Sequence, residues 1–78
     1  MSNIENEIKI LLNLFDSAKF DILISKAKKL LKKAPEYLIL YNILGSAYQN
    51  IGDLKLAKEI FIKGYKMEPN NIAIMNNL

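Results

Sequence analysis

The feature that most constrains this chain is that it repeats itself at one fixed period. Pro35 shifted by 34 falls on Pro69, Asn42 on Asn76 and Leu44 on Leu78. Tyr41 falls on Met75, both bulky and apolar. Ala18, Lys19 and Phe20 fall on Gly52, Asp53 and Leu54, so turn chemistry overlies turn chemistry. The shift runs the length of the 78 residues without a gap. A fixed period of this size is the signature of stacked supersecondary units, each unable to bury its apolar face alone.

The apolar spacing within each unit is helical. Ile4, Ile8, Leu11 and Phe15 recur three and four residues apart, with Asn6, Lys9, Asn13 and Asp16 as the polar stripe. This predicts a first helix over 3–17 and a second over 20–33, ended by Pro35. A third helix is predicted over 37–51. Gly52 takes the left-handed closing position there, and Asp53 is the N-cap of a fourth helix over 54–67. Residues 71–78 read as the opening of a fifth helix. No stretch alternates as a strand does. The repeat unit is therefore a helical hairpin.

The second unit resembles a tetratricopeptide repeat. Tyr41 stands at the large aromatic position, followed by Leu44, Gly45, Tyr48, Ala57, Phe61, Gly64 and Pro69 at that family's spacing. Gly64 stands where alanine is usual. Gly45 and Ala57 are small where two helices cross, and Tyr41, Leu44, Tyr48 and Phe61 fill the space around the crossing. The implied fold is all-α, antiparallel helical hairpins stacked as a short right-handed solenoid. The chain is then one domain over 1–78: a degenerate first repeat at 4–37, a well-matched second at 38–71, and the start of a third at 72–78. In the first unit Leu11 and Leu23 replace the small residues, so that hairpin should splay. Glu7 takes the aromatic position there, while Ile10, Leu14, Ala27 and Leu30 keep their apolar character. Arrays of this kind need about three units for stability. The resemblance therefore implies a piece of a longer array, or a face covered by another molecule.

By the same resemblance, the first helix of each unit lines a concave groove. The implied groove residues are Ile39, Asn42, Ser46, Gln49 and Asn50 in the second unit. In the first they are Glu5, Ile8, Leu12, Phe15 and Asp16, and Asn76 begins the third set. Asn42 and Asn76 form a ladder that can hold a peptide backbone, or they simply face water. Ile8, Leu12 and Phe15 form an apolar groove wall, or they pack in a splayed hairpin. The acidic chaperone tails that some members of the family bind need lysine and arginine at groove positions. Ile8, Leu12, Ile43, Ala73 and Asn77 occupy them here, so no such clamp is expected.

Composition removes most other chemistries. Cysteine, histidine and tryptophan are absent. That excludes thiol nucleophiles, histidine acid–base catalysis and Cys/His zinc sites. Gly45, Gly52 and Gly64 are too far apart for a phosphate loop. The expectation is a chain with no catalysis, cofactor or metal. All 11 basic residues are lysines and the net charge is +3. Without arginine, nucleic-acid recognition is not expected. The lysines at 26, 28, 29, 32 and 33 read as a solvated helix face near a C-terminus, with phosphate binding as the other reading. The longest apolar run, 37–41, is far too short to span a membrane. The N-terminus lacks the basic region of a secretory signal, and a cytoplasmic location is the default. The expected function is a protein–protein interaction module that binds a peptide or partner helix in its groove. Self-association through uncapped helical faces is the alternative.

Overall fold

Asn3 opens the first helix by capping it. Its side-chain oxygen accepts from the backbone N–H groups of Glu5 at 3.0 Å and Asn6 at 3.4 Å, and its carbonyl accepts from Glu7. These are donors that a helix start leaves without partners. Glu5 and Glu7 in that first turn also favour the positive end of the helix dipole. A computed structural model of the chain describes residues 3–67. It contains four helices: α1 (Ile4–Asp16), α2 (Phe20–Lys33), α3 (Leu38–Asn50) and α4 (Leu54–Met67). The predicted first and third helices are each one residue too long at both ends. Asn3, Ser17, Tyr37 and Ile51 are the flanking caps. The predicted fifth helix lies outside the described residues.

The turns inside the two hairpins close in the same way. The Lys19 N–H donates to the Leu14 carbonyl, and one period on the Asp53 N–H donates to the Tyr48 carbonyl, both at 2.9 Å. Ala18 donates to Phe15 and Gly52 to Gln49 in the same register. This is the six-to-one closure that satisfies orphan carbonyls at a helix end. It requires positive φ. Gly52 has φ 85° and adopts it freely; Ala18 has φ 57° and is the one non-glycine described residue there. Asp53 caps α4, its Oδ1 accepting from the Leu56 N–H at 3.2 Å. Lys19, in the same place before α2, makes no side-chain cap.

The helices pair as antiparallel hairpins, α1 with α2 and α3 with α4, and α3 also lies against α2 and α1. That central position explains the composition of α3. It has no charged residue, and Leu40, Ile43, Leu44, Gly45, Ala47 and Tyr48 are all buried. The outer helices bury far less: Leu11 in α1, Leu23, Ala27 and Leu30 in α2, and Ala57, Phe61 and Gly64 in α4. The connection from α2 to α3 is pinned by Tyr41, whose hydroxyl donates to the Pro35 carbonyl at 2.9 Å.

The two crossings are packed by different residues. A Cβ on Gly45 would stand 2.5 Å to 2.8 Å from three atoms of the Phe61 ring. No side chain fits there without displacing the ring, so glycine lets α3 and α4 approach closely at this point. In the first hairpin, Leu11 and Leu23 are fully buried and the counterpart of Phe61 is Ala27. The bulk has moved from one helix to the other. The backbones of α1 and α2 come close at fewer positions than those of α3 and α4.

Candidate functional site

The groove residues implied by the sequence fall on α1 and α3, which touch each other. On α3 they form the face that reaches solvent. Asn42 and Ser46 are half-buried, Gln49 and Asn50 exposed, and Ile39 is 43 % exposed. Spacings of three, four, three and one residue keep all five on one side of the helix. The Asn50 side-chain amide donates to the Ser46 carbonyl at 2.8 Å, which ties it to its own helix.

The α1 set divides. Ile8 and Phe15 are half-buried and pack against the core. The Phe15 ring also meets Phe20 edge-on, with centroids 5.4 Å apart, a favoured geometry for aromatic pairs. Leu12 is 43 % exposed. Glu5 and Asp16 are exposed. Asn76 lies outside the described residues. The surface shared by α1 and α3 therefore offers exposed apolar contacts at Leu12 and Ile39 and amides at Asn42 and Gln49. None of the implied groove residues is a lysine.

A second concavity, of about 190 Å³, lies between α1 and α2. Ile10, Leu11 and Leu30 form its floor and Lys26, Lys29 and Lys33 its rim, with Glu7 at one edge. The sequence contained the lysines but held no sign of the groove.

Chemistry beyond binding has little to work with. Among the described residues, none that is polar or charged is buried, and no group of acidic side chains is placed to hold a metal ion. No helix among them is long and apolar enough to cross a membrane.

The fold and this surface define the class: an all-α protein of stacked helical hairpins. Residues 38–71, which include all of α3 and α4, match the family model of the tetratricopeptide repeat. That hairpin is a tetratricopeptide repeat, and such repeats generally mediate protein–protein interactions. No curated protein and no solved structure matches the chain.

Proposed function

We propose that this chain is a non-catalytic interaction module that takes a peptide or a partner helix along the face shared by α1 and α3. One observation carries the reading. α3 is enclosed on its other sides, yet the face with Ile39, Asn42, Ser46, Gln49 and Asn50 reaches solvent. Apolar contacts beside amides suit an extended backbone, because an amide both donates to and accepts from peptide groups. In this reading the first hairpin, 4–37, is a diverged copy of the repeat at 38–71. The matching turn closures, one period apart, support it. Residues 72–78 begin a third copy.

The test uses a peptide selected on the wild-type chain from a displayed library. Asn42→Ala combined with Gln49→Ala should weaken that peptide about tenfold or more at unchanged helicity, in line with the loss of two interface hydrogen bonds. Unchanged affinity in the double variant removes the groove assignment.

Self-association is a second reading, favoured by Leu54, which is 64 % exposed on α4. It predicts a mass of twice the chain or more that persists on dilution in light scattering. A monomer throughout the concentration series rejects it.

A further inference from the structure

The groove between α1 and α2 is a site of a different character from the face just described. All of its lining residues belong to α1 and α2. Lys26, Lys29 and Lys33 are spaced three and four residues apart, so they stand in a row along one face of α2 over about 10 Å. Beneath them lie Ile10, Leu11 and Leu30. Ile10 is 48 % exposed, a large apolar side chain open to solvent among cations.

The second hairpin shows what this surface can receive. The counterparts of Glu7, Ile10 and Lys26, one period on, are Tyr41, Leu44 and Ile60. Leu44 is 1 % exposed and the other two are half-buried, in a hairpin where α2 lies along α3. One period later, then, Leu44 and Ile60 are less open to solvent than Ile10 and Lys26. In the first hairpin the apolar residues at the edge are replaced by charged ones, and the covering element must complement that charge. Three ammonium groups face one carboxylate, so the complement is anionic.

We propose that the α1–α2 groove docks an amphipathic helix of another protein. That helix sets its apolar ridge on Ile10 and the leucines below and its carboxylates against Lys26, Lys29 and Lys33. A second copy of this chain does not supply it through α2, α3 or α4. α2 carries five lysines and one aspartate, α4 four lysines and one glutamate, and α3 no charge. Nucleic acid would match the lysines but leave the apolar floor without a partner.

The probe is a synthetic helix of about sixteen residues, long enough to be helical when bound. It has leucines at positions i, i+3, i+4 and i+7 flanked by glutamates, and a twin carries glutamine in their place. Binding is followed by fluorescence anisotropy. The glutamate helix should bind, and the glutamine twin should bind about tenfold or more weakly, as expected when close charge pairs are lost. Lys29→Glu with Lys33→Glu should weaken the glutamate helix by a similar factor, and Ile10→Asp likewise, with circular dichroism confirming unchanged helicity. Asn42→Ala with Gln49→Ala should leave it unaffected, which separates this site from the α1–α3 face. Four binding results overturn the proposal. They are no binding up to about 1 mM, equal binding of the two helices, affinity indifferent to the lysines, and tighter binding of a single-stranded oligonucleotide than of the glutamate helix. A dimer in light scattering that Lys29→Glu dissolves also overturns it, because the surface would then pair with itself through α1.

Discussion

Between α3 and α4 a single ring, Phe61, fills the crossing, and Gly45 gives it room. In the first hairpin the counterpart positions hold three buried leucines, Leu11, Leu23 and Leu30, and Ala27 stands where the second hairpin has Phe61. The four counterpart positions read Leu, Leu, Ala, Leu in one hairpin and Gly, Ala, Phe, Gly in the other. Turns of the same backbone geometry close both. The comparison teaches that a helical hairpin needs complementary volume at its crossing rather than a fixed residue at each place. The two hairpins also differ at their edges: the backbones of α1 and α2 come close at fewer positions, and a groove lies between them.

The largest effect comes from imposing one scheme's residue on the other. Gly45→Leu, which copies Leu11, should cost about 3 kcal/mol or more, because even its Cβ collides with the Phe61 ring. Urea unfolding measures it, and a loss under about 1 kcal/mol would mean that α3 and α4 separate easily. Next are the turns, where the two hairpins should respond with opposite signs. Gly52→Ala should destabilise by about 1 kcal/mol, since φ there is positive although the space is open. Ala18→Gly should stabilise by up to about 1 kcal/mol by relieving the same strain. If both substitutions act in the same direction, the turns are not equivalent.

Caps give the next contrast. Asp53→Ala removes the bond to the Leu56 N–H and should cost about 1 kcal/mol. Lys19→Asp supplies the cap that α2 lacks and should gain about 0.5 kcal/mol. Thermal melts of the two variants should move apart. Tyr41→Phe is expected to be the smallest change, about 0.5 kcal/mol, because its bond to the Pro35 carbonyl is exposed to competing water. A loss above about 2 kcal/mol would give that turn a weight the geometry does not explain.

Much of the fold was legible because its signals are local. Pro35, Gly52 and Asp53 mark boundaries through their own backbone preferences. α2 ends before Pro35 and α4 starts after Asp53, where those residues place them, and α1 and α3 miss only by their caps. The volume exchange was less legible. Leu11 and Leu23 look like departures when read singly, and Ala27 looks merely apolar. Only the pairing of Leu11 with Ala27 across the hairpin shows that one compensates the other. The α1–α3 face could be located from the period and the family pattern, but the division of its α1 half could not. Phe15 is drawn inward by Phe20, a contact between helices that no spacing within one helix reveals. The lysine groove was the least legible, since its lining comes from two helices and the spacing within either one does not show it.

The most direct test of the compensation is to transplant the first hairpin's scheme into the second. Gly45→Leu is combined with Phe61→Ala, and unfolding in urea is compared with each single variant. Phe61→Ala alone should cost about 3 to 5 kcal/mol. The account predicts that the double variant unfolds at a higher urea concentration than Gly45→Leu alone, because the leucine occupies the space the ring has left. A double variant that unfolds at or below the midpoint of Gly45→Leu would contradict it, and the two crossings would then not be interchangeable solutions to one packing problem.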